Sequence, residues 1–363
     1  MMDQRSFSAA QRFLLSSKRY WTTALYRRLT EEYRERCGPG REPKTVAEVA
    51  EVLEDLTLYR YFAWLERHLQ RMKYSGRYGL VPYYDQRRAQ YATALQPDAE
   101  AVPMLELNPD LKLPSYYTSV DIHCHPGGVW SDELAGFVYE HGARTTTPLL
   151  GRAHEDLHTR FTDHIAATGT PHSILDMGCG FGKSTRPFAA RFGDAQIEGV
   201  DLSEPCLRVA AQRARDVPAR RTRYRQRNAE QSGYDDASFD LVTSTMLLHE
   251  LPVKDMNAVF DEAYRVLEPG GRMVHLDFYH FPDAFARFLH YGHGRRNNEP
   301  FMQPLAELDL PKTLRKKGFA SIDIAPFRES EAVDVKKREA WRFPWTVISA
   351  TKPKQRKPAR LRQ

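Results

Sequence analysis

The chain has 363 residues, 41% of them apolar, with 53 Lys and Arg against 47 Asp and Glu. That is enough for two domains with real cores, and no apolar run approaches the roughly 18 residues of a membrane helix. Six of the basic residues (Lys352, Lys354, Arg356, Lys357, Arg360, Arg362) fall in Thr351–Gln363 without an acid, so the rest of the chain is balanced and the net charge of +6 belongs to a tail.

The first residues, MMDQRSFSAAQRF, contain no apolar core of a secretory signal. Cys37, Cys124, Cys179 and Cys206 are scattered without C-x-x-C spacing. This predicts a reducing, cytoplasmic setting and neither a zinc ribbon nor a disulfide scaffold. Residues 1–147 read as a mainly helical domain. Phe13, Leu14, Tyr20, Trp21, Leu25 and Leu29 recur at helical spacing. Thr45 followed by Glu48 is a capping-box pattern opening another helix. Leu53, Leu56, Leu58, Phe62, Trp64, Leu65 and Leu69 then supply core faces. Pro97, Pro103, Pro109 and Pro114 predict an extended connector.

From about residue 148 to 350 the pattern alternates between strand and helix. SILDMG, QIEGVDLS, TRYRQRNA, FDLVTSTML and GRMVHLDFY read as successive strands. Helices are expected at Ser184–Phe192, Glu204–Arg215, Lys254–Leu267 and Leu305–Lys317, with FASIDIAPF and WTVISATK as closing strands. Such alternation predicts an α/β fold: a Rossmann-like, seven-stranded, mostly parallel sheet with helices on both faces. Ligands of such sheets bind outside the carboxyl ends of the strands. The tail at 351–363 is expected to be disordered and solvated.

The loop after the first strand, ILDMGCGFGKST, resembles three nucleotide loops. A P-loop would need a glycine at Met177, and a dinucleotide fingerprint would need one at Lys183. What stands is Asp176-x-Gly178-x-Gly180-x-Gly182. Alternate glycines allow a tight turn and close approach of backbone to ligand, suiting a nucleoside without a long phosphate chain. Strand two ends in Asp201, where a carboxylate can accept both hydroxyls of a ribose. Strand three ends in Asn228-Ala229-Glu230, whose amide and backbone can read an adenine edge.

DMGCGFG, EGVDLS, RNAEQSGYDDASFDLV, LHELP and EAYRVLEPGG, in that order on those strand ends, resemble the successive motifs of the class I S-adenosylmethionine-dependent methyltransferases. The resemblance covers about residues 150–350. It implies S-adenosylmethionine as cofactor, with Asp176, Gly178, Cys179, Gly180 and Gly182 around the methionine part. It also implies Asp201 at the ribose, Asn228 and Ala229 facing the adenine, and Leu202, Glu230 and Thr245 among the cofactor-binding residues. Asn228 departs from the family, where Asp is frequent.

The sulfonium methyl is already activated, so the protein need only align a nucleophile, exclude water and take a proton. His249, at the end of strand four, is the leading candidate base. Glu250 beside it is expected to point away and cap the next helix. Asp277, Tyr279 and His280 end strand five. The segment Phe278–Pro300 is longer than a usual strand-to-helix loop and is expected to be a lid over the acceptor. In it Phe285 and Tyr291 would stack on a ring, and Arg295 and Arg296 would pair with a carboxylate. In DIHCHPGGVW (Asp121–Trp130), an extended backbone would put His123 and His125 on one face. Those two with Asp121 offer zinc or iron ligands, but no further ligand is suitably spaced. The expectation is instead a turn lending His123 or His125 to the acceptor pocket, with no metal.

The function these residues predict is methyl transfer to a small-molecule acceptor, oxygen being preferred, with nitrogen, carbon and sulfur open. The N-terminal half would cover the pocket or form a homodimer. One alternative is an RNA or protein methyltransferase using the basic tail and Arg213–Arg227. Against it, LHELP is not the Asn/Asp-Pro-Pro-aromatic motif of amino-methylating nucleic-acid enzymes, so nucleic acid is not the expected partner. Another is a non-catalytic binding module, against which the intact Asp176, glycine loop and Asp201 argue.

Overall fold

The computed structural model describes residues 2–95, 104–144, 154–215, 221–330 and 339–354. Pro97 and Pro103 of the connector, the expected boundary at residues 147–148, and Arg356, Lys357, Arg360 and Arg362 of the tail lie outside them.

The first 95 residues form α1 (Gln4–Tyr20), a π-helical turn (Trp21–Leu25), α2 (Tyr26–Cys37), α3 (Val46–Leu53), α4 (Thr57–Ser75), α5 (Leu80–Asp85) and α6 (Arg88–Ala94). The Thr45–Glu48 capping box forms as the spacing predicts. Leu14, Trp21, Leu25 and Leu29 are buried. Phe13, Tyr20 and Trp64 are not: they are exposed by 59%, 43% and 54%. One residue on a helix is a rotation of about 100°, so choosing Leu14 and Trp21 for the core turns Phe13 and Tyr20 out. The inward face of α4 is mixed, carrying Phe62, Glu66, Leu69, Gln70, Lys73 and Tyr74.

Next come β1 (Leu105–Glu106), α7 (Ser115–Thr118), α8 (Ala135–Ala143) and α9 (His154–Ala166). The sheet continues with β2 (Ser173–Met177), α10 (Thr185–Arg191), β3 (Gln196–Asp201), α11 (Glu204–Ala214), β4 (Thr222–Gln226), β5 (Phe239–Thr245), α12 (Val253–Val266) and β6 (Leu267–Phe278). The last elements are α13 (Ala284–Asn297), α14 (Met302–Glu307), α15 (Leu310–Lys316), β7 (Ala320–Pro326) and β8 (Trp345–Thr351). The strand order is β1-β4-β3-β2-β5-β6-β8-β7, parallel except for the pairings of β8. The order reverses between β2 and β5, which opens a crevice at their carboxyl ends.

Three elements differ from expectation. The sheet has eight strands, because the connector adds β1 to the edge of β4 through Leu105 and Glu106. Two residues between prolines carry no alternation that could announce a strand. The helix expected at Leu305–Lys317 is two, since Asp309 caps a new one by accepting from the Lys312 N–H at 2.9 Å. Phe278–Pro300 is not a long loop. Asp283 accepts from the Ala286 N–H at 2.8 Å and starts α13, which ends at Asn298 in a left-handed conformation. Phe285, Phe288 and Leu289 of α13 enter one apolar cluster with Leu25, Leu29, Phe62 and Trp341. A second shared cluster joins Phe7, Leu80, Phe137 and Val138 to Phe181 and Val209.

Gly136 marks the tightest of these contacts, where α8 crosses α11. A Cβ there would lie 2.2 Å from the Pro205 carbonyl oxygen. Gly136→Ala should therefore cost about 1–3 kcal/mol by overpacking backbone on backbone, read from the denaturant midpoint. An unchanged midpoint would show that the two helices slide apart freely.

Candidate active site

The end of β3 holds the glycine loop. The Val200 carbonyl accepts from the N–H groups of Gly178 and Cys179 at 2.8 and 3.0 Å. The Asp201 carboxylate accepts from Gly180 and Ser203 N–H, each at 2.8 Å. Gly178, Gly180 and Gly182 all have positive φ. A Cβ on Gly178 would strike Leu247, and one on Gly182 would strike Tyr224, whereas Gly180 faces open space up to Tyr139. The loop thus turns inward on both sides and shows its middle glycine to a large cavity. Gly178, Cys179, Gly180, Asp201, Leu202, Asn228, Ala229 and Thr245 all line that cavity. Glu230 stands behind it, accepting from the Tyr116 hydroxyl at 2.7 Å.

Burial pushes the Asp201 carboxyl up, and the N–H groups of Ser203, Gly180 and Leu202 only partly offset this. Asp176 is fully buried below the loop. Its Oδ2 accepts from Ser184 and Thr185 hydroxyls at 2.7 Å each, while Oδ1 has no partner. Burial outweighs those two bonds and pushes its carboxyl up to about 6.

The opposite end of the cavity is ionic. Asp277, at the end of β6, is wholly buried and accepts from the N–H groups of Leu248 and Phe278 at 2.8 Å each. Its Oδ1 lies 2.6 Å from His249 Nδ1, which turns Nε2 towards Glu250 at 3.4 Å. Burial lowers the His249 pKa, but the charge and hydrogen bond of Asp277, with Glu250 adding, carry it well above the ordinary value. His123 Nε2 is 3.4 Å from the same Glu250 oxygen, and its Nδ1 is 2.9 Å from Glu299. Burial opposes ionisation of Glu299, yet the charge and hydrogen bond of His123 hold its carboxyl down at about 2. Beyond Glu299, His293 and Arg296 pair with Glu66. A second, smaller cavity adjoins this seam and is lined by Trp21, Phe343, Trp345 and Glu66. The two cavities share His123, Met246 and His249.

Not every expected site residue comes here. His123 and Cys124 are both left-handed within a 3₁₀ turn, so the segment is not extended and His125 leaves the face of His123. His125 is buried against Tyr74, ring centroids 4.8 Å apart, and burial pushes its pKa down to about 3. Asp121 accepts from the Gly127 N–H, and His123, His125 and Asp121 are not brought together. Phe285 stacks on Tyr33 in the helical cluster, and Tyr291 is buried on α13. Arg295 and His280 are exposed. Arg296 is paired with Glu66, and the Tyr279 hydroxyl donates to the Leu308 carbonyl. Because α13 packs as a helix, its aromatic residues are used as core. Glu250 does not cap α12, whose N-cap is Pro252; it faces the cavity.

Glu66, Glu299 and Tyr139 were not legible beforehand. Glu299, one acid ending a stretch rich in His and Arg, carried a faint signal. Glu66 carried none, since Glu66, Gln70 and Lys73 on a helix read as a solvated stripe.

A family model described as a methyltransferase domain matches residues 174–271. An O-methyltransferase of Penicillium expansum, cnsE, is 31% identical over 231 residues, covering 60% of this chain and 78% of that one. Phosphoethanolamine N-methyltransferase 2 of Caenorhabditis elegans is 32% identical over 102 residues, 28% of this chain and 23% of that protein. The structure of phosphoethanolamine N-methyltransferase 2 of Haemonchus contortus with S-adenosyl-L-methionine superposes with a TM-score of 0.44 at 20% identity, over 62% of this chain and 58% of that one. The chain belongs to the class I S-adenosylmethionine-dependent methyltransferases. It is an enzyme of that family, and S-adenosylmethionine is its cofactor.

The residues fit that cofactor. A half-buried carboxylate at the cavity wall, Asp201, suits a vicinal diol. The Thr245 hydroxyl and Asp176 Oδ1 are buried without a protein partner, and Gly180 leaves the room a side chain would fill.

Two outcomes follow. Asp201→Ala should weaken S-adenosylhomocysteine binding about ten- to a hundred-fold by calorimetry, the loss of a charged hydrogen-bond acceptor; unchanged affinity would remove Asp201 from the contact. For Asp176, the folded pKa of about 6 lies above the ordinary 3.8. The fold therefore favours the protonated acid, and stability falls as pH rises through that window, by at most about 3 kcal/mol, with the loss complete above it. Denaturant titrations of the cofactor-free protein should show this slope, and Asp176→Asn should flatten it. Equal slopes would mean Asp176 titrates normally.

Proposed function

We propose that the enzyme transfers the methyl group to an oxygen of a small-molecule acceptor seated at the His249 end of the cavity. The observation that carries this reading is the His249–Asp277 pair. Asp277 is fixed by two backbone N–H groups and holds the imidazole by Nδ1, which leaves Nε2 on the cavity side. An orienting carboxylate, an imidazole and a cavity for the reactant are the parts of a general-base site. The likeness to an O-methyltransferase over most of that protein's length supports oxygen as acceptor.

When bound, the cofactor supplies an electrophilic methyl on a positively charged sulfur. That charge opposes a second cation nearby, and so works against the hold that Asp277 and Glu250 give the His249 proton. His249, oriented through Nδ1 by Asp277, would take the proton of the acceptor hydroxyl at Nε2 as that oxygen accepts the methyl group. Tyr139, Leu247 and Phe181 wall the cavity and exclude water. Residues 1–147 act in this reading as the acceptor-side cover.

One observation favours nitrogen instead. The second cavity presents the aromatic faces of Trp21, Trp345 and Phe343 beside Glu66 and Glu299, which His293, Arg296 and His123 already pair, and beside Lys18; the aromatic faces suit a cationic amine.

The test is transfer of labelled methyl to a panel of phenols, alcohols, amines and thiols. The expected outcome is turnover on a hydroxyl compound, with His249→Ala lowering kcat by about 10²-fold or more and leaving S-adenosylhomocysteine affinity within a few-fold. Turnover on amines alone would favour the nitrogen reading. Unchanged kcat in the variant would end the role of His249.

A further inference from the structure

The seam between the two cavities contains more than the proposed reaction uses. His123 comes from the segment between α7 and α8, Glu250 from the turn after β5, and Glu299 from the residues after α13. One ligand atom of each lies within 4.8 Å of the other two. Donors around a first-row ion at about 2.0–2.2 Å stand about 3–4 Å apart; His123 meets Glu299 through Nδ1 and Glu250 through Nε2, so one carboxylate swings to the other nitrogen as the set closes. Glu299 is 5% exposed and the other two are half-buried. Glu299 meets His123 at 2.9 Å and His293 at 3.9 Å, and Glu250 meets His123 and His249 at 3.4 Å each.

His123 is also held in an uncommon backbone state. It and Cys124 have φ of 55° and 56°. The left-handed conformation is unfavourable for a non-glycine residue, and such strain collects where a side chain must be aimed. Here it aims the imidazole at two carboxylates from remote parts of the chain. Neighbouring groups hold the set in place. Gln70 donates to the His123 carbonyl at 2.8 Å, and Asn298 donates to the Asp121 carbonyl at 3.1 Å. His249, whose Nδ1 is bonded to Asp277, stands beside Glu250 as a fourth donor and the second nitrogen. A carboxylate bonded to the far nitrogen of a histidine is the usual support of a metal ligand.

We infer that His123, Glu250 and Glu299 form a binding site for a divalent first-row transition ion, with His249 at its edge. Mixed imidazole and carboxylate donors suit Zn2+ or Mn2+ better than Mg2+, which favours oxygen and water. The site stands where the two cavities meet. If the acceptor is a hydroxyl compound, as proposed above, the ion would polarise its oxygen; that role rests on the earlier reading, and the binding site does not.

The experiment uses the full chain, purified without metal-affinity steps, stripped with chelator and titrated with Zn2+, Mn2+ and Mg2+ by calorimetry. The expected result is one equivalent of Zn2+ bound in the micromolar range or tighter, and Mg2+ at least ten-fold weaker. Glu250→Gln and Glu299→Gln should each weaken Zn2+ at least ten-fold, and the surface control Asp236→Asn should not. Thermal stabilisation by S-adenosylhomocysteine reports that each variant is folded. Should one fail to fold, X-ray absorption of the zinc-loaded wild type decides: nitrogen and oxygen at about 2.0–2.1 Å support the site, and sulfur at about 2.3 Å overturns it. Less than a tenth of an equivalent bound at saturating Zn2+, or binding that survives both Glu variants, also overturns it. Methyl transfer by the stripped enzyme is scored separately: full activity there, with zinc bound as expected, removes the polarising role and leaves the proposed transfer intact.

Discussion

The grip of β3 on the glycine loop is the constraint from which the cofactor cavity follows. Three consecutive N–H groups, at Gly178, Cys179 and Gly180, all turn to the end of one neighbouring strand. No loop with side chains at 178 and 182 could bend so sharply, since Leu247 and Tyr224 already fill that space. Once the loop is bent, its carboxylate anchor Asp201 necessarily lies at the cavity wall. One set of hydrogen bonds therefore both shapes the loop and positions the acid.

This explains which parts of the molecule were legible in the sequence. The strands, the glycine spacing and Asp201 are governed by local backbone demands, and each demand leaves a mark in residue type. Strand β5 is buried along most of its length, so Phe239–Thr245 is nearly all apolar or small. Thr45 and Glu48 announce a helix start because the capping bonds join residues three apart. The acceptor end obeys no such local rule. His123, Glu250 and Glu299 meet only through tertiary packing, and nothing in the spacing of 123, 250 and 299 ties them together.

The same reasoning explains the misplaced residues. Phe285, Tyr291 and Arg296 looked like ligand-facing groups because aromatic residues and arginines were crowded into a supposed loop. As a helix, that stretch must bury one side, and it buries its aromatic residues against α2 and α4. Glu66 of α4 faces inward for a complementary reason. Arg296 and His293 come from α13 to meet Glu66, and the paired charges tolerate burial that neither would tolerate alone.

The two apolar clusters shared between the halves bear on how the protein can vary. Phe181 sits in the glycine loop and Val209 on α11, yet both are covered by Phe7, Leu80 and Phe137 from the helical half. Phe285, Phe288 and Leu289 are likewise roofed by Leu25, Leu29 and Phe62. A cofactor half severed between Arg144 and His154 would carry two uncovered greasy faces, one of them on the loop that shapes its own cavity. The helical half therefore cannot be exchanged like a cartridge to alter the acceptor. New specificity has to arise by substitution within an interface that both halves need in order to stand.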